Sequence, residues 1–236
     1  MDFHEIAERD HELQNPTSAA KIRLLGSYLR LGPESRVLDI ACGKCGPALL
    51  LASTFGCRVV GVELRTAFAD AGRERVAAAG LQSLIEVHTA DAREFPLEPE
   101  GCDAALCLGA SFVWGTIAEA AASLVPAVKR GGFVAVGEPF WREWPLPAGV
   151  DDEGWVDFAS TVDRFEAAGL SLTGLIAADV DDWDRYRSLQ WRAVEEWLAA
   201  HPDSDEIRAA HERTRADYLG FERARLGWAS FVGRRR

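Results

Sequence analysis

Short apolar runs alternate with stretches of helical period along most of this chain. The runs cover residues 36–40, 58–62, 84–88, 102–108 and 132–137, and a helical pattern follows each. That alternation predicts βαβ units: an α/β fold with a doubly wound, mostly parallel sheet and helices on both faces. Ahead of the first run, residues 17–31 read as an amphipathic helix, with Ile22, Leu25, Tyr28 and Leu29 on one side and Gly32-Pro33 as its stop. Downstream, residues 155–168 read as a helix ended by Gly169, 170–176 as a strand and 228–232 as a last strand. Between those two strands, 180–200 and 203–225 carry helical periodicity broken at His201-Pro202.

In such sheets ligands bind outside the carboxyl ends of the strands, where the loops carrying residues 41–46, Glu63, Asp91 and Gly109 emerge. The first of these loops ends the stretch Val37-Leu38-Asp39-Ile40-Ala41-Cys42-Gly43-Lys44-Cys45-Gly46. Gly43 and Gly46 allow close backbone approach of a ligand and tight helix packing. The second apolar run ends in Glu63, about 20 residues further on, the spacing at which a carboxylate meets a nucleotide ribose. Asp39 separates the possible ligands. A dinucleotide brings a pyrophosphate to this turn, and a carboxylate beside it repels that charge. A cofactor with a cationic amino group and no phosphate gains a charge-assisted hydrogen bond instead. S-adenosylmethionine is such a cofactor.

The chain resembles the class I S-adenosylmethionine-dependent methyltransferases at five pieces spread over residues 36–140. They are the 37–46 loop, Val60-Gly61-Val62-Glu63, Thr89-Ala90-Asp91-Ala92, the 102–109 strand and Arg130-Gly131-Gly132-Phe133-Val134-Ala135-Val136. Ala41 stands where that family often has glycine. The resemblance implies a Rossmann-like, seven-stranded sheet whose final two strands form an antiparallel edge, with the 180–225 helices as a small cap on the substrate side. It implies an enzyme that moves a methyl group from S-adenosylmethionine to a small-molecule acceptor by in-line displacement. Asp39, Ala41, Gly43, Gly46, Glu63, Leu64, Asp91, Ala92, Gly109 and Ala110 are then the cofactor residues. Asp91 accepts from the adenine amino group, the Ala92 amide serves a ring nitrogen, and Gly109 and Ala110 lie beside the methyl group. Two other classes stay open at this point: a regulatory protein that binds the cofactor without turnover, and a nicotinamide-dependent oxidoreductase.

Charge and composition narrow the acceptor. The net charge of −11 leaves no basic face for nucleic acid or an anionic membrane, with Arg234-Arg235-Arg236 expected as a short solvated tail. No Asn-Pro-Pro-Tyr type motif for nucleobases follows the fourth strand. No apolar run approaches the ~18 residues that span a bilayer. The acidic start, Met1-Asp2-Phe3-His4-Glu5, has no signal-peptide pattern, so a cytoplasmic protein is expected. The five cysteines form no secreted disulfide pattern. Cys42 and Cys45 have a redox or zinc spacing, but no second ligand pair follows, so no metal is expected and small fillers of a tight loop are the simpler reading.

Substrate contacts are expected from the loops after the fourth and fifth strands: Ser111, Trp114, Glu138 and Trp141. Eight tryptophans are many for this length, and Trp183, Trp191 and Trp197 are expected to pack inside the cap. In the leader, His11-Glu12-Leu13-Gln14-Asn15-Pro16 precedes the first helix, and similar Asn-Pro leaders in the family fold over the cofactor. His11 is then a candidate general base, its ordinary pKa near 6.5 suiting proton removal at neutral pH. The expected organisation is a lid and first helix over 1–35, a cofactor-binding core over 36–179, the cap over 180–225, and the last strand with its basic tail over 226–236.

Overall fold

The computed structural model describes residues 2–236; Met1, where the acidic leader begins, lies outside them. Seven strands form one sheet in the order β3-β2-β1-β4-β5-β7-β6. They are β1 (Arg36–Ile40), β2 (Arg58–Glu63), β3 (Ile85–Thr89), β4 (Cys102–Leu108), β5 (Val128–Trp141), β6 (Leu170–Ala177) and β7 (Leu226–Arg235). β1 to β5 pair in parallel, whereas β7 runs antiparallel between β5 and β6.

Alternate residues of each central strand enter two different cores, as the period of two requires of a sheet covered twice. Val37, Ala104, Leu106, Phe133 and Ala135 face one core, completed by Ile22 and Leu25 of α2 (Ala19–Tyr28) and Leu51 of α3 (Gly46–Phe55). Leu38, Ala105, Cys107, Val134 and Val136 face the other, with Ile117 and Leu124 of α5 (Ile117–Leu124) and Phe165 of α6 (Phe158–Glu166). Val76 of α4 (Thr66–Ala78) joins the first core. Continuously apolar strands are the sequence-level trace of this arrangement.

Three local expectations change. β5 runs on to Trp141 because β7 pairs with it from Phe133 to Trp141. Beyond Gly137, the last residue of β5 paired with β4, β7 is its one strand neighbour among the described residues, and Pro139 is tolerated there. Two of the three terminal arginines are strand residues rather than a solvated tail, and Arg236 alone follows the strand, exposed. Arg234 and Arg235 belong to β7; Arg234 Nε donates to the Gly131 carbonyl at 3.1 Å, and Arg235 bonds the Val128 carbonyl. The leader also contains a helix, α1 (Phe3–Ala7), started by a capping box between Asp2 and Glu5.

The segment between β6 and β7 forms α7 (Val180–Ala200) and α8 (Asp205–Asp217). Near its start Trp183 packs with Trp141, Tyr218 and Trp228 at the far ends of β5 and β7, and Trp191 borders that cluster. Near its end Val194 and Leu198 pack on Ile6 and Ala7 of α1, with Trp197 alongside. α7 therefore ties the leader to the carboxyl-end side of the sheet. Among the described residues no helix is long and apolar enough to cross a membrane.

Candidate functional site

The loop after β1 makes a sharp turn built on left-handed backbone: Ala41, Gly43 and Cys45 have φ of 53°, 55° and 59°. Ala41 thus sits where an L side chain is disfavoured by roughly 1–2 kcal/mol, the physical reason a glycine suits that position. The turn brings Asp39 and the start of α3 to one crevice, with Ala41, Gly43 and Gly46 in its wall.

Asp39 is 2% exposed and its Oδ2 has no hydrogen-bond partner. Burial, helped by the neighbouring Glu63 carboxylate, pushes its carboxyl up to about 7. Such an orphaned acceptor in a crevice wall is expensive unless a donor meets it. Glu63, at the carboxyl end of β2, accepts from the Gly43 amide at 2.9 Å through Oε2 and from the Arg65 amide at 2.8 Å through Oε1. A carboxylate offers about four acceptor positions, so both oxygens keep a free lone pair.

Residues of the leader cover this turn. Gln14 Oε1 accepts from the Lys44 amide at 2.8 Å, and Asn15 Nδ2 donates to the Leu108 carbonyl at 2.9 Å. The fit is close: a Cβ on Gly43 lies 2.1 Å from Gln14 Oε1, and one on Gly109 lies 2.1 Å from Asn15 Oδ1. Lys44, which burial and Arg75 hold below the usual lysine range, donates to the Glu8 and Arg9 carbonyls at 2.7 and 2.9 Å. His4, Gln14, Asn15, Phe68 and Tyr186 line the crevice too, none of them among the expected site residues. The Asn15-Pro16 pair was their one visible trace in the sequence.

On the β3 side the crevice adjoins a second cavity, of about 540 Å³, lined by Leu64, Asp91, Ala92, Ala110 and Phe112. Leu64 and Phe112 are exposed apolar rims at 64% and 75%. Asp91 closes a turn by accepting from the Arg93 amide at 2.9 Å, and the Arg93 side chain holds its carboxyl down to about 2. On the β5 side lies a third cavity, of about 340 Å³, sharing Gly109 and Phe112 with the crevice. Ser111 and Glu138 face it, and Ser111 Oγ bonds the Glu138 carboxylate. Glu138 is 7% exposed, and burial pushes it up to about 7 against the opposing pull of Ser111.

Other expected residues stand elsewhere. His11 does not line the crevice: it is 3% exposed, its Nε2 lies 2.9 Å from the Tyr186 carbonyl, and its Nδ1 lies 3.5 Å from Glu8 Oε2. The nitrogen facing a carbonyl carries the proton, so the ring is fixed between the leader and α7. Trp141 belongs to a strand rather than a loop; it is 3% exposed and its indole donates to the Asp152 carbonyl at 3.1 Å. Trp114 is half-buried against the core beside α5. Trp155, expected at a helix start, lines the third cavity instead. Cys42 and Cys45 are buried free thiols whose sulfurs lie 4.0 Å apart. Their mutual hydrogen bond and burial push Cys42 up, the opposite of a reactive thiol. Among the described residues no group of three or more His, Cys, Asp or Glu side chains is placed to hold a metal.

Comparison with known proteins agrees with this geometry. Residues 37–132 match the family model described as a methyltransferase domain. YjhP of Escherichia coli (strain K12) is 29% identical over 96% of this chain and 95% of its own. The crystal structure of a SAM-dependent methyltransferase from Thiobacillus denitrificans in complex with S-adenosyl-L-homocysteine superposes with a TM-score of 0.91 at 29% identity, covering 98% of this chain and 97% of that one. The 27-O-demethylrifamycin SV methyltransferase of Amycolatopsis mediterranei is 26% identical over 78% of this chain and 69% of its own. The fold, the turn after β1 and these likenesses agree: residues 37–132 form a methyltransferase domain, and the chain as a whole resembles S-adenosylmethionine-dependent methyltransferases of class I.

Proposed function

We propose that this enzyme methylates a small-molecule acceptor held in the cavity between Glu138 and Trp155. The observation that carries this reading is the shared wall of Gly109 and Phe112, which puts that cavity directly beside the crevice of Asp39 and Glu63. Its size, about 340 Å³, suits a small ligand rather than a polymer. The net charge of −11 disfavours nucleic acid and anionic membranes. One relative is named for a small acceptor, a demethylrifamycin. Five free, buried cysteines suit a reducing, cytoplasmic compartment.

In this reading Asp39 takes the cofactor's amino group and Glu63 its ribose hydroxyls, through the lone pairs left free by Gly43 and Arg65. Ala41, Gly43 and Gly46 let the cofactor approach the turn. Asp91, Ala92 and Leu64 form the adenine end, and Gly109 and Ala110 the wall beside the reacting carbon. When bound, the cofactor supplies an electrophilic methyl carbon. The protein contributes alignment and exclusion of water. Ser111 and Glu138 hold the acceptor, with Trp114 and Trp141 as supports behind the wall. The leader acts as a lid over the crevice, and the 180–225 helices as the cap that holds it down. His11 acts there as a positioning residue of the lid. Calorimetric titration with S-adenosylhomocysteine and with NAD tests the cofactor assignment: stoichiometric binding of the first and none of the second is expected, and the reverse overturns it. Release of S-adenosylhomocysteine across a library of small acceptors then tests the acceptor class.

A further inference from the structure

The acceptor cavity has an unusual set of walls. Glu138 supplies a buried carboxylate, Trp155 and Phe112 are aromatic, Ser111 and Thr116 carry hydroxyls, and Glu153, itself exposed, borders the cavity. No lysine, arginine or histidine is among its lining residues. The cation that acts on Glu138 is Arg164, whose guanidinium donates to the Gly154 carbonyl at 3.0 Å. Glu138 is more than nine-tenths buried and takes its one hydrogen bond from Ser111 through Oε2, leaving Oε1 without a donor.

We propose that the acceptor is an amine, bound as its ammonium ion by Glu138 between the faces of Trp155 and Phe112, and that Glu138 takes its proton. This rests on the reading of the cavity as the acceptor site. Carboxylates beside aromatic faces attract a cation by charge and by the ring quadrupoles. An anionic acceptor is repelled by Glu138, and a neutral alcohol leaves the buried carboxylate without a charged partner. Proton transfer from the ammonium N–H to Oε1 makes a neutral carboxylic acid and frees the nitrogen lone pair. The bond that forms is then nitrogen to methyl carbon; the bond that breaks is sulfur to that carbon, its electron pair remaining on sulfur. The glutamic acid afterwards returns its proton to solvent. Burial supports this exchange, because a carboxyl raised to about 7 matches proton transfer at neutral pH.

Three probes of one shape test this: benzylamine, benzyl alcohol and benzoate, titrated by calorimetry into the protein saturated with S-adenosylhomocysteine. At pH 8 benzylamine is expected to bind at least tenfold more tightly than either of the others. Glu138→Gln and Ser111→Ala are compared with wild type, with thermal unfolding confirming that each is folded. Glu138→Gln is expected to weaken benzylamine at least tenfold and leave benzyl alcohol within about twofold. Benzylamine affinity is expected to drop about tenfold from pH 8 to pH 6 in wild type, as Glu138 gains its proton, and to stay flat in Glu138→Gln. Equal binding of the three probes, no binding by any, or a benzylamine affinity indifferent to Glu138 each overturns the proposal. If S-adenosylhomocysteine itself does not bind, the cofactor reading fails first. If it binds and the amine preference is missing, only the amine assignment fails.

Discussion

The Tyr186 hydroxyl, on α7, donates to Oε1 of Glu8 in the leader at 2.7 Å, across 178 positions of sequence. Gln190 Nε2 donates to the same oxygen at 2.8 Å, and Glu8 has no exposed surface. The leader that covers the glycine turn is thereby anchored by a helix from the other end of the chain. Removing one donor from a buried carboxylate costs about 1–3 kcal/mol. Tyr186→Phe is therefore expected to lose that much stability in denaturant unfolding and to release S-adenosylhomocysteine faster in stopped-flow measurements. An unchanged release rate separates the anchor from the lid.

Glu63 holds the turn after β1 while leaving lone pairs toward the crevice. Glu63→Ala is expected to weaken S-adenosylmethionine at least tenfold, equivalent to about 1.4 kcal/mol or more. Calorimetry measures this directly. Unchanged affinity removes Glu63 from the cofactor site.

With Asp39 in the proposed role, cofactor binding is expected to depend on pH. The Asp39 carboxyl is raised from 3.8 to about 7 by burial, so the contribution of Asp39 to the stability of the free protein is fully present below pH 4 and is lost as pH rises through about 7. An amino group bound beside it favours the ionised form. Binding at pH 6 is therefore expected to release a proton, seen as a buffer-dependent heat, and at pH 8.5 to release almost none. Asp39→Asn is expected to raise the melting temperature of the free protein at pH 8 while weakening S-adenosylmethionine. A variant that binds the cofactor as tightly as wild type contradicts this role.

The cysteines are packing elements. A Cβ on Gly61 lies 2.8 Å from Cys42 Sγ, and one on Gly72 lies 2.7 Å from Cys45 Sγ, so each thiol fills a glycine hollow. Native protein is expected to react with almost no Ellman's reagent over minutes, and denatured protein with all five thiols. Replacing Cys42 and Cys45 with alanine is expected to leave cofactor affinity within a few-fold.

The fold was legible because its signals are local. Apolar runs such as 102–108, and glycines next to an acidic strand end, report sheet, turn and crevice from neighbouring residues alone. What stayed hidden depends on contacts distant in sequence. α1 has five residues, too few to show a period. Nothing beside His11 reveals that a carbonyl 175 positions away will take its ring nitrogen. Trp141 reads as a loop residue until β7 is seen to extend β5 past the end of β4. The arginines at 234 and 235 look solvated for the same reason: a pairing partner lies about a hundred residues upstream. Trp155 gave no sign of lining a cavity, because its wall is shared with residues from β5 and the turn after β4.

The place of β7 between β5 and β6 sets an order of events during synthesis. Among the described residues β6 pairs with β7 and with no other strand, so until residues 226–235 exist it has no site in the sheet. The five parallel strands, and with them the turn after β1, can assemble earlier on the ribosome. Residues 180–225 emerge before the strand that closes the sheet, and the leader waits for α7 to anchor it. The leader is thus among the last parts to settle although it precedes the sheet in sequence, and a chain cut short before α7 is expected to keep its glycine turn while losing the anchor of the segment that covers it.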